Sequence, residues 1–145
     1  MLTDEQEKKN REILAALTPE LRSLAQRHLD LCKEAGIDLL VVQGYRTLQE
    51  QAALYETGRG PGGGRKVTNA RPGSSWHNFR RAYDVAVVEG GKINWNSPKY
   101  TEAGKIGKSL GLVWGGSFTA IKGDLGHFEY HPGLTLQQAR TETLA

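Results

Sequence analysis

The chain has 145 residues, 38% of them hydrophobic and 24% charged, with a net charge of +3 and a sequence pI near 9.1. Those values suit one globular domain with a moderate core, and no apolar run approaches the ~20 residues that a membrane-spanning helix needs. The single cysteine, Cys32, excludes an internal disulfide and a cysteine-based zinc site, which leaves His and carboxylate side chains as metal ligands.

The first residues, Met1 to Lys9, are polar and lack the apolar core of a secretory signal. Synthesis and folding in a cytoplasm are therefore expected, with any later passage depending on something else. The mild positive charge favours an anionic polymer, whether nucleic acid, anionic lipid or an acidic cell-wall polymer, without choosing among them. The basic residues are not interleaved with aromatics and no nucleic-acid motif occurs, so neither nucleic acid nor membrane is expected as a partner.

Thr3 with Gln6 forms a capping box that opens a first helix, with Ile13, Leu14 and Leu17 as its apolar stripe. Thr18-Pro19 restarts the helix, and Leu21, Leu24, Ala25, Leu29 and Cys32 recur at helical spacing. Cys32 reads there as a small buried hydrophobe, and His28 as a packed or capping histidine. Gly36 closes this helix. Residues 37–42 read as a buried strand. Arg46 follows at the junction between that strand and a helix capped by Thr47 and Glu50, the kind of place from which side chains enter clefts.

Residues 58–75 hold six glycines, two prolines and four basic side chains, without periodicity. A loop of this length in a small domain is usually functional or mobile, and it is expected to flank the site and to be partly flexible. Residues 82–88 alternate as a strand, and Glu89-Gly90-Gly91-Lys92 turns into residues 93–95. Ser97-Pro98 opens another helix that Gly111 ends. Residues 112–114 form a short strand, 117–126 a loop, 127–131 another strand, and Thr135 caps a final helix. The pattern is α+β: a small, mostly antiparallel sheet flanked by helices, in a single domain of residues 1–145 whose N-terminal helical part spans about 3–36.

The stretches that bear chemistry are Ser75 to Asp84 and Asp124 to Glu129. His77 and Asp84 stand seven positions apart, and Asp124 precedes His127 by three. Asp84 alternates with Ala82 and Ala86 on one strand face, where a carboxylate is costly unless paired or coordinated. A catalytic zinc takes three protein ligands and leaves one position open, which His77, Asp84 and His127 would satisfy if their strands are neighbours. The bland alternative is a hydrogen-bonded His77–Asp84 pair with His127 in the core. Glu129 and His131 share the strand parity of His127, so both fall on its side of the strand, and His131 is an alternative ligand.

Ser75-x-His77, Asp84, the Trp114-Gly115-Gly116 turn and Asp124-x-x-His127-Phe128, in that order, resemble the zinc peptidoglycan peptidases that include D-alanyl-D-alanine peptidases and L-alanyl-D-glutamate endopeptidases. Gly44-Tyr45-Arg46-Thr47 with Gln51 and Leu54-Tyr55 resembles the arginine region of the same group, and the likeness covers roughly residues 37–131. It is strongest to the single-domain phage endolysins and bacterial cell-wall hydrolases that cut L-Ala–D-Glu bonds. The resemblance implies a hedgehog/DD-peptidase-like fold and a Zn2+ ion held by His77, Asp84 and His127. It implies Asp124 as the carboxylate that activates water, Arg46 as the partner of a substrate carbonyl or oxyanion, Ser75 as a hydrogen-bonding group near the metal or substrate, and Trp114 as a cleft wall. Glu129, on the same strand side as His127, competes with Asp124 for the role of base or is instead a substrate-contacting or supporting group.

The implied activity is hydrolysis of peptidoglycan stem peptides at the L-Ala–D-Glu bond, by a monomer made in a host cytoplasm and acting on the wall after release. The alternatives are a D-Ala-D-Ala carboxypeptidase or dipeptidase, and a non-catalytic wall-binding module on the same fold. No separate wall-binding module follows in the sequence, which suits a lysin of a thin, Gram-negative wall. One departure stands out: where the family commonly has glycine, this chain has Arg80, followed by Arg81. Either the backbone turns differently there or the two arginines meet an acidic polymer.

Overall fold

Two helices come first, and each starts where a threonine hydroxyl satisfies a backbone N–H that the helix itself cannot. The structure is a computed structural model and describes residues 1–59, 68, 70–117 and 124–144. Helix α1 spans Asp4–Ala15 behind the Thr3–Gln6 capping box, and α2 spans Pro19–Glu34 behind Thr18. The chain leaves α2 through Gly36 at φ +81°, a left-handed conformation that glycine adopts without strain.

Strand β1 (Asp38–Gln43) leads to α3 (Leu48–Glu56), which has its own capping box from Thr47 and Glu50. A short 3-10 helix, Trp76–Phe79, follows the end of the loop and precedes β2 (Ala82–Glu89). The expected hairpin forms, with β3 at Lys92–Ile93, and α4 (Lys99–Ser109) begins with Ser97 Oγ accepting from the Lys99 N–H at 3.2 Å. Strands β4 (Val113–Trp114) and β5 (His127–Glu129) and helix α5 (Leu136–Leu144) complete the chain, with Thr135 and Gln138 capping α5 reciprocally. Most of the glycine-rich loop, residues 60–67 and 69, and most of the loop before β5, residues 118–123, lie outside the described residues.

The sheet runs β1-β2-β5-β4, with β3 on the end of β2, and every pairing is antiparallel. Strand parity divides it into two faces. Leu39, Val41, Tyr83, Val85, Val87 and Phe128 join Leu14, Leu21, Ala25, Cys32, Tyr100 and Ala103 in one core beneath the helices. Cys32 is fully buried there, its thiol pushed up to about 12 by burial and by Glu102. On the opposite face Asp84 pairs across the ladder with His127, and Ala82 with Glu129. The core fixes the register, and the register carries Asp84, His127 and Glu129 to one side of the sheet.

Two further features position this face. The β1–β2 register shifts between Val41 and Gln43, and Gln43 stands opposite Asp84. A bulge of this kind bends the strand and re-aims the residues beyond it, here Gly44, Tyr45 and Arg46. Asn10 of α1 donates its Nδ2–H to Leu39 O at 3.0 Å and accepts the Val41 N–H at 2.7 Å, which latches α1 to β1.

Candidate metal centre and active site

Asp84 is the hub of the site. Its Oδ1 accepts from His127 Nδ1 at 2.8 Å, and its Oδ2 lies 3.3 Å from His77 Nε2. The ligand atoms of His77, Asp84 and His127 all lie within 4.8 Å of one another, and the two imidazole rings are 5.2 Å apart between centroids. Each residue arrives by a different route. Asp84 and His127 are direct cross-strand partners, which by itself brings their Cβ atoms to about 5 Å. His77 sits on the 3-10 helix, where Ser75 Oγ accepts the His77 N–H at 3.2 Å as a cap.

The remote ring nitrogens are committed. His77 Nδ1–H donates to Gly44 O at 2.8 Å, which leaves Nε2 to face Asp84. His127 Nε2 donates to Glu129 Oε1 at 2.8 Å, which turns Nδ1 toward Asp84. Burial works against charge on His127, but hydrogen bonds to Asp84 and Glu129 outweigh it and raise its pKa to about 10. Burial would also raise the Asp84 carboxyl; the hydrogen bonds and charges of His127 and His77 override it and hold the group far below the usual carboxylate range. Two imidazole nitrogens and a carboxylate therefore converge on one spot, each imidazole fixed from behind. This donor set fits a zinc ion with three protein ligands.

Asp124 lies just before β5, half-buried, and its carboxyl is raised by burial and by the nearby charges of Asp84 and Glu129, against the opposing pull of His127 and His77. Arg46 stands at the end of the bulged strand. Its NH1 donates to Gln51 Oε1 at 2.8 Å, its backbone N–H to His77 O at 2.9 Å, and its Nε is buried with no hydrogen-bond partner among the described residues. Gln51, fully buried, donates in turn to Ala70 O at 2.8 Å. Asn78 Nδ2–H donates to Arg46 O at 2.9 Å.

Trp114 closes the two-residue strand β4, just before Gly115-Gly116. It pairs with Phe128, so strand parity turns it toward the core, where it packs over Gly104 and donates its N–H to Leu125 O at 2.7 Å. Its indole braces the segment between Asp124 and His127 from beneath. Nothing in the sequence singles out Trp76, whose ring stacks on His131 with centroids 3.9 Å apart and planes 7° apart. Its partner is far off along the chain, and only the fold joins them. Nor does Arg80 make the backbone turn differently: it holds φ +62°, the left-handed conformation that a glycine would supply.

Comparisons with known proteins agree with this geometry. Residues 68–130 match the M15 peptidase model described as D-alanyl-D-alanine carboxypeptidase. The peptidoglycan L-alanyl-D-glutamate endopeptidase CwlK of Bacillus subtilis is 34% identical over 127 residues, covering 78% of this chain and 75% of the relative. The chain belongs to the M15 peptidase family. As an M15 peptidase it is an enzyme. The L-alanyl-D-glutamate peptidase of Listeria phage A118 is 25% identical over 108 residues, and this chain spans only 35% of its length. In fold, the M15 peptidase matches the Serratia marcescens L-Ala D-Glu endopeptidase ChiX with a TM-score of 0.66 at 19% identity, covering 90% of each chain. The vancomycin-resistance D,D-pentapeptidase VanY, solved in complex with Zn(II), matches with a TM-score of 0.62 at 16% identity, covering 86% of this chain and 76% of that one.

Proposed function

We propose that the chain is a zinc metallopeptidase that hydrolyses the L-Ala–D-Glu bond of peptidoglycan stem peptides, acting as a monomeric phage lysin in one catalytic domain. The observation that carries the reading is the convergence of His77 Nε2, an Asp84 carboxylate oxygen and His127 Nδ1. The B. subtilis and Listeria phage relatives, both named for the L-alanyl-D-glutamate bond, support the choice of substrate. The phage relative supports the lysin role, in which the enzyme is made in the host cytoplasm and meets the wall on release. Peptidoglycan is the partner in this reading, with no part for nucleic acid or membrane.

Zinc, when bound by His77, Asp84 and His127, supplies Lewis acidity to a water and to the scissile carbonyl. Asp124 takes a proton from the water at its carboxylate and returns it to the leaving amine. Arg46 presents its guanidinium to the substrate carbonyl oxygen as negative charge develops, a contact of the kind worth ~3–4 kcal/mol. Ser75 caps the turn that carries His77, Trp114 holds up the Asp124 segment, and Glu129 orients His127.

Purified muropeptides digested with and without a chelator, read by mass spectrometry, test the reading. Cleavage between L-Ala and D-Glu is expected, abolished by the chelator and restored by zinc. His77→Ala is expected to lose zinc and activity together; cleavage by a metal-free His77→Ala chain would sink the metal reading. The family model's description favours a second reading, D-Ala-D-Ala carboxypeptidase, and release of free D-Ala would select it.

A further inference from the structure

Behind His127 lies a chain of side chains that the metal itself does not account for. Glu129 is 8% exposed, and each of its oxygens meets a histidine. Oε1 accepts from His127 Nε2 at 2.8 Å, and Oε2 accepts from His131 Nε2. His131 in turn lies flat against Trp76, the residue before His77. The chain Trp76–His131–Glu129–His127 therefore runs behind the site and links the segment that carries one histidine to the strand that carries the other. A buried carboxylate is tolerated only when its lone pairs are met, and here two imidazole N–H groups meet them.

The geometry also decides what Glu129 does not do. It sits on the Nε2 side of the His127 ring, while Asp84 sits on the Nδ1 side. The two nitrogens of an imidazole point away from each other. A carboxylate on Nε2 is thus turned from the spot where Asp84 and His77 converge, and both of its oxygens are already engaged.

We propose that Glu129, locked in place by His131 and through it by Trp76, is a positioning residue that fixes the His127 ring with Nδ1 toward the zinc. The proposal rests on the zinc reading above. The carboxylate enforces one ring orientation and enriches the imidazole as a donor, whereas His77 has only the carbonyl of Gly44 for the same purpose. The two histidines are thus held unequally, and His127 depends on a charged partner.

Zinc affinity, measured by competition with a chromogenic chelator, tests this directly, alongside the visible absorption of the Co(II)-loaded chain. Glu129→Ala is expected to weaken zinc binding by about 10- to 100-fold and to alter the Co(II) bands. Glu129→Gln, which keeps an acceptor but loses the charge, should fall between Glu129→Ala and wild type. His131→Phe keeps a ring against Trp76 while removing the N–H that holds Glu129, and a smaller loss of affinity is expected. Wild-type zinc affinity and an unchanged Co(II) spectrum in Glu129→Ala, with turnover lost, would overturn the proposal in favour of a direct role on substrate. Should Glu129→Ala not fold, wild-type affinity in His131→Phe would overturn it equally. Failure of the wild-type chain to bind zinc would instead remove the reading on which the proposal stands.

Discussion

Arg80 holds a left-handed φ of +62° because its side chain is anchored on both sides of that turn. Its NH1 donates to Ala16 O at 2.8 Å, and its guanidinium lies 3.9 Å from the centre of the Tyr45 ring. The left-handed conformation costs a residue with a Cβ ~1–2 kcal/mol. The stacked cation contributes ~0.5–1 kcal/mol, and the exposed hydrogen bond ~0.5–1.5 kcal/mol. Strain and contacts nearly cancel, so Arg80→Gly is expected to change unfolding free energy by less than about 1 kcal/mol. Arg80→Val keeps the strain and discards both contacts, and should lose about 1–2.5 kcal/mol. Urea titration of the two variants checks the pair, and a glycine variant as unstable as the valine one would refute the account. Since the Arg80 side chain spans α1 and Tyr45, the pairing of the two arginines with an acidic polymer has no support at this position.

The elements around β5 are spaced by glycines, and Gly115 is the one nearest the chemistry. A Cβ there would stand 2.1 Å from Asp124 O and 3.0 Å from His127 Cβ. The backbone carrying Asp124 can lie where it does only because position 115 has no side chain. With Asp124 as the proposed base, Gly115→Ala is expected to push that segment outward and to lower kcat for muropeptide cleavage at least tenfold, since misplacing a catalytic group by about 1 Å can cost 100-fold. A variant that folds and turns over at the wild-type rate would refute it. How much the sequence reveals about these elements depends on how local their causes are. The caps at Thr3, Thr18, Thr47 and Thr135 are legible because donor and acceptor lie three residues apart. The strand alternation of residues 82–88 is legible for the same reason. The 3-10 helix that presents His77 is not, because it is set by contacts to Gly44 and Arg46 some thirty residues earlier. His77, Asp84, Asp124 and His127 can be picked out by residue type and order, yet the pairing of Asp84 with His127 is a matter of register between distant strands. The place of Trp114 is hidden because a turn motif does not tell which face of a two-residue strand a side chain takes.

At the scale of the whole molecule, His28 ties four elements together with no exposure to solvent. It sits on α2, donates Nε2–H to Ala103 O of α4 at 2.8 Å, accepts the Tyr83 O–H of β2 at 2.7 Å, and meets the Phe128 ring of β5 edge-on with centroids 4.4 Å apart. Both nitrogens are satisfied by the neutral ring, and burial lowers the His28 pKa below its ordinary 6.5 despite the carbonyl of Ala103. The unfolded chain therefore takes up this proton first. Stability associated with His28 is intact above pH 6.5 and declines as the pH falls below it, by up to about 1.4 kcal/mol per pH unit until the folded ring itself protonates. Urea titrations at pH 5 and pH 7.5, comparing wild type with His28→Gln, isolate this contribution from the titrating groups of the site. An equal pH response in the two proteins would exclude it. The margin of the sheet is also decided at this scale. Among the described residues β1 has β2 on one side only, and an uncovered strand margin is an invitation to any other extended chain. Asn10 answers Leu39 O and Val41 N–H with the two groups that an incoming strand would offer. A single amide thus impersonates a neighbouring strand at Leu39 and Val41, and leaves copies of the enzyme gathered on one substrate surface two fewer backbone groups there along which to fuse.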